Sequence, residues 1–101
     1  MKYKYIVYVD DNFHFQDETE RYRVGEFDSC DEALTVCKEI VDEYFERLEK
    51  GKSSFKELWD GYMLYGEDPF ISTSDPECKF SAWDYAKERC MEFANQERPA
   101  D

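Results

Sequence analysis

Residues 2–9, Lys-Tyr-Lys-Tyr-Ile-Val-Tyr-Val, are dense in β-branched and aromatic residues. These residue types suit the pleated surface of a β-strand and fit poorly into an unbroken helix, so the stretch predicts a strand. Alternation of side chains divides this strand into two faces. One face holds Tyr3, Tyr5, Val7 and Val9, and the other holds Lys2, Lys4, Ile6 and Tyr8. The first face is the candidate for the core.

A second strand is predicted over residues 19–27, Thr-Glu-Arg-Tyr-Arg-Val-Gly-Glu-Phe, where Tyr22 and Val24 share one face. Gly25 indicates a β-bulge or a close backbone approach. The intervening residues 10–18 are too many for a tight two-residue turn, so the two strands should form a hairpin with an extended tip.

Three later segments repeat apolar residues at three- and four-residue steps, which predicts three amphipathic helices. Capping residues mark the starts of these helices, and glycines mark the ends of the first two. The marks are Asp28-Ser29 and Lys50-Gly51 for the first helix, Ser53 or Ser54 and Gly66 for the second, and Ser81 for the third. Gly61 inside the second helix suggests close packing of another backbone.

Residues 70–73 form a short strand candidate after the break at Pro69, which gives the order β-β-α-α-β-α. An antiparallel hairpin and a third strand packed against about three helices make a two-layer α+β sandwich. At 101 residues the chain has the usual size of one domain, so residues 1–101 are expected to form a single domain with residues 95–101 as a frayed tail.

Charge narrows the classes of partner. The chain has 25 acidic and 13 basic residues and a formal net charge of −12. Such a charge repels nucleic acid phosphates and anionic membranes and attracts basic proteins or cations. Direct nucleic acid binding and membrane binding are therefore not expected, and no apolar run is as long as a membrane span. Aromatic residues make up 18% of the chain, which argues against disorder.

Four cysteines, Cys30, Cys37, Cys78 and Cys90, show no C-x-x-C pair, and His14 is the only histidine. A familiar structural zinc set is therefore missing. The first ten residues also lack the apolar region of a signal peptide. A cytoplasmic protein with free thiols fits best, with Cys37 and Cys90 on the apolar faces of their helices as core residues.

Acidic residues concentrate in two places. Residues 10–32 hold nine acidic and two basic residues, and residues 61–78 hold four acidic and no basic residues. The candidate binding surface consists of Asp10, Asp11, Asn12, His14, Asp17, Glu18, Glu67 and Asp68. An EF-hand is excluded because Phe15 stands where its glycine belongs. Asp10, Asn12 and His14 still offer a transition-metal hypothesis, although no metal or cofactor is assigned.

Five aromatic residues, Trp59, Tyr62, Tyr65, Phe70 and Trp83, are the candidates for a pocket between the second and third helices and the last strand. Aromatic residues at helical spacing are more often core than ligand cage, so the alternative is that these rings form the core or an exposed patch for a partner.

The runs Tyr-Val-Asp-Asp-Asn-Phe-His-Phe (8–15) and Arg-Tyr-Arg-Val-Gly-Glu-Phe (21–27), together with the helical segment 33–41, resemble small acidic bacterial hypothetical proteins. Gly-Glu-Asp-Pro-Phe-Ile (66–71) and Ser-Ala-Trp-Asp-Tyr-Ala (81–86) extend this resemblance over most of the chain. Proteins of this kind also occur in integron gene cassettes. The resemblance implies no activity, cofactor or site residue.

These observations rank three functions. The leading hypothesis is a non-enzymatic interaction module, expected to be a homodimer, that presents acidic surface to a basic protein partner; a nucleic acid mimic is a narrower version of it. The alternative is a small-molecule binding domain or an enzyme with an aromatic-lined pocket. The third hypothesis is metal binding at the hairpin tip.

Overall fold

The computed structural model describes residues 3–11 and 21–94. Within them three strands and three helices follow one another in the predicted order, and the α+β prediction is confirmed. The elements are β1 (Tyr5–Asp11), β2 (Tyr22–Phe27), α1 (Cys30–Glu46), α2 (Phe55–Tyr65), β3 (Glu67–Ser72) and α3 (Ala82–Phe93). Among these residues no helix is both long and apolar enough to cross a membrane.

The three strands form one antiparallel sheet in the order β2-β1-β3. Val7 of β1 lies opposite Gly25 of β2, whereas the next residue, Tyr8, lies opposite Arg23. Val24 is therefore the extra residue of a β-bulge, and the prediction of a bulge at Gly25 is confirmed. Both β2 and β3 are edge strands, because each pairs with β1 alone among the described strands.

The core lies between the sheet and the helices. Tyr5, Val7 and Val9 are buried, as their alternation predicts, and each fully buried valine stabilises the fold by roughly 1.5–3 kcal/mol. Two clusters divide the interior. The first holds Tyr5, Val7, Ala33, Cys37 and Cys78; the second holds Val41, Phe45, Leu58, Tyr62, Ala82, Ala86 and Cys90. Tyr22 and Val24 are exposed on the edge strand.

Serine caps start all three helices. The side chains of Ser29, Ser54 and Ser81 each accept a hydrogen bond from the backbone N–H three residues later. The end of α1 differs from the prediction near Lys50-Gly51. It ends at Glu46 with Arg47 as its C-cap, whereas Gly51, five residues later, takes a left-handed φ of +86° and donates its N–H to the carbonyl of Phe93.

The third strand begins at Glu67, three residues before the predicted start. Pro69 therefore lies inside β3. An edge strand tolerates a proline, because a residue without an N–H removes no hydrogen bond that a second neighbouring strand would need.

A disulfide joins Cys30, the first residue of α1, to Cys78 in the segment between β3 and α3. The expectation of four free thiols is therefore wrong for these two residues, which the chain brings together across 48 positions with no local spacing motif. Cys37 and Cys90 are free and fully buried, as predicted for core residues. The bridge fixes the segment that leads into α3.

Removing the bridge should destabilise the protein, because the disulfide closes a long loop and so lowers the conformational entropy of the unfolded chain. The double variant Cys30→Ser/Cys78→Ser is expected to lose about 2–4 kcal/mol of unfolding free energy in urea. A dithiol reductant should lower the midpoint of the natural chain by a similar amount and leave the double variant unchanged. Equal midpoints for the reduced and oxidised natural chain would contradict a stabilising bridge.

Gly61 of α2 lies against the side chain of Tyr44 from α1, so that an added Cβ would collide with the Tyr44 hydroxyl. The close neighbour is thus a phenol ring, whereas the sequence suggested a backbone. The Tyr44 ring also makes edge contacts with Phe45 and Tyr62, which hold it in place between the two helices.

A double-mutant cycle tests this contact. Gly61→Ala alone should stabilise the helix little or destabilise it, because the methyl group displaces the Tyr44 hydroxyl. In the Tyr44→Phe background the ring carbon lies at 3.6 Å from the new Cβ, an ordinary contact. There the same substitution should gain up to about 1 kcal/mol from helix propensity. Thermal unfolding of the four proteins measures the coupling, and an equal effect in both backgrounds would refute it.

Candidate functional site

The two acidic stretches of the sequence meet at one end of the sheet. Asp10 and Asp11 end β1, and their cross-strand partners on β3 are Asp68 and Glu67. We call these four residues the acidic corner. Like charges placed directly opposite each other destabilise a sheet, so this pairing requires compensation.

Asp10 and Glu67 are compensated by neighbouring side chains. The Arg21 guanidinium donates from Nε to Oδ1 of Asp10 at 2.7 Å and from its second nitrogen to Oδ2 at 3.1 Å. Such a bidentate pair is among the stronger hydrogen-bonded contacts. Glu67 accepts a hydrogen bond from the Tyr22 hydroxyl at 2.6 Å. Burial and this bond both raise the pKa of Tyr22, so the phenol remains a donor at neutral pH.

Asp68 differs from both. Burial, and then the charge of the neighbouring Asp10, raise the pKa of Asp68 to about 6. In the described part of the chain no basic side chain forms an ion pair with this carboxylate. At neutral pH Asp68 therefore carries a partly desolvated negative charge that a cation from outside would stabilise.

A groove of about 320 Å³ runs beside Asp68, between β3 and the start of α3. Its lining is mainly apolar and aromatic, with Asp68 and Ser81 as the polar members. The lining residues are Asp68, Pro69, Phe70, Phe80, Ser81, Ala82 and Trp83. We call this depression the edge groove. Its volume lies near the lower end of the range for ligand sites.

Alternation along β3 divides its side chains between the two faces of the sheet. Ile71 and Pro69 are partners of Val7 and Val9, so they point toward the helices. Asp68 and Phe70 point to the opposite face. There the Phe70 ring stacks on Tyr8 with ring centroids 5.7 Å apart. The Arg21 guanidinium lies 4.9 Å from the centre of the same ring.

The predicted aromatic residues lie in three separate places. Tyr62 is fully buried in the core, where Trp59 stacks on it with ring centroids 6.0 Å apart. Tyr65 is 73% exposed at the end of α2, beside a crevice of only about 60 Å³. Phe70 and Trp83 line the edge groove. The five residues thus do not converge on one cavity, because Trp59 and Tyr62 pack in the core whereas Tyr65, the last residue of α2, is exposed beyond it.

Sequence reasoning missed Phe80 as a groove residue, although a signal for it exists. Phe80 precedes the N-cap Ser81, and its ring packs on Tyr85 four residues into the capped helix, with centroids 6.0 Å apart. An apolar residue before the cap that contacts the fourth helical residue is a hydrophobic staple. The pattern Phe-Ser-x-x-x-Tyr therefore predicts that Phe80 is fixed against the start of α3.

Four predicted site residues, Asn12, His14, Asp17 and Glu18, lie outside the described residues. Within residues 3–11 and 21–94 no group of three histidine, cysteine, aspartate or glutamate side chains is placed to hold a metal ion. Both carboxylate oxygens of Asp10 already accept from Arg21, so a metal bound by Asp10 would share that carboxylate with the guanidinium or compete with it. The metal hypothesis stays a prediction.

The free cysteines do not provide a nucleophile. Burial raises the pKa of Cys37 to about 12, with a further contribution from the charge of Asp68, and burial raises the pKa of Cys90 to about 11. A thiol attacks only as the thiolate, which is scarce at neutral pH for both residues.

Comparisons with protein-family models, with curated proteins and with solved structures each found no match for this chain. The resemblance to small acidic bacterial proteins thus stays a prediction.

Replacing Asp68 by Asn should stabilise the fold at neutral pH, because the ionised carboxylate is disfavoured where it lies. The pKa is about 6 in the folded protein against the ordinary value of 3.8, so the folded state holds the proton more tightly. With allowance for partial exposure, the gain should be about 1 kcal/mol above pH 7.

This gain should shrink as the pH falls through about 6 and vanish below about 4, where the carboxyl is neutral in both the folded and the unfolded chain. Urea unfolding of both proteins between these pH values measures it. The control is Glu39→Gln, which removes one charge from an exposed position of α1. A gain that does not change with pH would contradict the raised pKa.

Proposed function

We propose that this protein is a non-enzymatic interaction module that binds a basic segment of a partner protein at the acidic corner. The observation that supports this most directly is the position of Asp68. It is a partly desolvated carboxylate beside Asp10 with no basic partner among the described residues, and it borders an apolar groove. A lysine or arginine of a partner would neutralise it.

Electrostatics support the approach of such a partner as well as its final contact. The net charge of −12 produces a negative field that speeds the encounter with basic surfaces. A new charge-assisted hydrogen bond at Asp68 would contribute about 1.5–3 kcal/mol once formed. Complementary charge of this kind improves specificity and association rate more than affinity.

Binding explains the described side chains of the groove better than catalysis does. A general base needs a second reacting group within hydrogen-bond reach. In the described part of the chain the groove combines one carboxylate with the Ser81 hydroxyl, and that hydroxyl already accepts the backbone N–H of Asp84 as the helix cap. The Ser81 oxygen is therefore engaged in holding the start of α3.

A small-molecule site is the second candidate, and the edge groove itself favours it. Its volume of about 320 Å³ and its aromatic lining suit a small organic ligand. We rank it second because the groove lies along the surface of the sheet edge and its one charged group matches the basic partner that the overall charge attracts.

Two further expectations belong to this proposal. The homodimer remains a prediction, for which the exposed apolar side chains Leu64, Tyr65 and Met91 offer surface.

The cytoplasmic location also remains a prediction. Free thiols support it, but only Cys37 and Cys90 are free, because Cys30 and Cys78 form a disulfide. Disulfides persist mainly in oxidising compartments.

The proposal predicts salt-sensitive binding of basic peptides. An oligolysine peptide should bind the natural chain at low ionic strength and lose affinity as salt rises, whereas an oligoglutamate peptide and a DNA duplex should not bind. Titration calorimetry measures the three affinities. Asp68→Asn should weaken oligolysine binding about tenfold, the effect of losing one charge-assisted contact.

The matched control is again Glu39→Gln, which changes the net charge equally and should alter the affinity only slightly. Equal weakening by both substitutions would mean that net charge alone drives binding, and it would remove the acidic corner as the site. No measurable oligolysine binding would refute the proposed function.

A further inference from the structure

We propose that the edge groove accepts one basic side chain of the partner, with its aliphatic stem against Phe70 and Trp83 and its cationic end at Asp68. This inference rests on the proposed function and specifies how the partner is recognised. The acidic corner attracts the basic partner, and the edge groove selects one lysine or arginine side chain of it.

The lining of the groove suits an unbranched stem. It includes the buried apolar residues Pro69 and Ala82. Phe70 from β3 and Trp83 from the first turn of α3 add aromatic surface. Long basic side chains bury their methylene groups against apolar surface of this kind while their charged end stays polar.

Charge selects a cation over an anion. The start of a helix attracts anions, and α3 starts in the groove. Two carboxylates oppose that attraction: Asp68 on the β3 side, and Asp84 in the first turn of α3 itself. Glu67 and Asp10 add further negative charge beside Asp68. Of these two neighbours, only Asp10 has a basic partner among the described residues.

Aromatic walls select an organic cation over a metal ion. A ring face attracts an ammonium or guanidinium group, and this site already holds one such contact, the Arg21 guanidinium 4.9 Å from the centre of Phe70. A divalent metal would need several oxygen ligands. Among the described residues of the groove only the Asp68 carboxylate is available, since Ser81 serves as the helix cap.

The test uses Trp83 as a reporter. The variant Trp59→Phe leaves Trp83 as the single tryptophan, because the chain has two. Fluorescence of this variant is followed during titration with three short peptides that are identical except at one central position, which is lysine, arginine or ε-acetyl-lysine. Backbone amide NMR shifts of residues 81–83 in the natural chain give the same readout, should Trp59→Phe disturb the core.

The lysine or the arginine peptide should change Trp83 emission and shift the amides of residues 81–83, and the more tightly bound of the two identifies the preferred side chain. The acetylated peptide, which has the stem but no charge, should bind at least about tenfold more weakly. Asp68→Asn should weaken the charged peptides by a similar factor, and Glu39→Gln should not.

Three results would overturn the inference in distinguishable ways. Salt-sensitive binding of the charged peptides with no change at Trp83 or residues 81–83 would keep the interaction module and remove the groove as its selective site. Equal binding of the charged and acetylated peptides would show that the groove recognises the stem alone. Absence of binding by every peptide, together with absence of oligolysine binding, would remove both proposals.

Discussion

Antiparallel pairing of β1 with strands on both sides is the constraint on which the rest of this structure depends. The pairing is held in register by burial, because Val7 and Val9 must point to the helices and a slip of one residue would turn both to the opposite face. With that register, the acidic end of β1 has to lie beside the acidic start of β3. The core thus imposes an unfavourable pairing of carboxylates at one end of the sheet.

The chain relieves that repulsion unevenly. Arg21 neutralises Asp10 through two hydrogen bonds, and Tyr22 donates to Glu67. Asp68 keeps its unfavourable charge, which the raised pKa records. The buried valines and the aromatic core stabilise the fold by far more free energy than one disfavoured carboxylate removes. Such costs often mark places where a ligand completes the local interactions.

The wall of the groove opposite β3 is positioned by a different set of contacts. Cys78 is tied to the start of α1 by the disulfide, and the Tyr5 hydroxyl donates to Asp75 at 2.8 Å. The Phe80–Tyr85 staple then fixes the entry into α3. These ties connect the site to the sheet and to α1, so a groove that lies at a sheet edge still has a rigid second wall. Preorganisation of this kind lowers the entropic cost of binding.

Local sequence signals determined much of the fold. Alternation in β1, the glycine of the bulge and the three serine caps depend on the geometry of a few neighbouring residues, and the structure confirms each of them. Boundaries were less accurate. The α1 helix ends at Glu46, before the predicted Lys50-Gly51, and the long-range pairing with β1 extends β3 to Glu67.

The candidate site shows the same division. Composition and charge patterning identified Asp10, Asp11, Glu67 and Asp68 as acidic surface, but no local pattern indicates that they form cross-strand pairs or that Asp68 lies beside a groove. Those facts depend on which strand occupies the centre of the sheet. The disulfide between Cys30 and Cys78 and the separation of Tyr62 from Phe70 also depend on tertiary contacts between residues far apart in sequence.

The sequence by itself therefore determined the elements, their caps and the acidity, because these follow from short-range geometry and residue chemistry. Only the tertiary structure decided which acids meet, which remain uncompensated and which aromatic rings border them, because burial of the whole core sets the register.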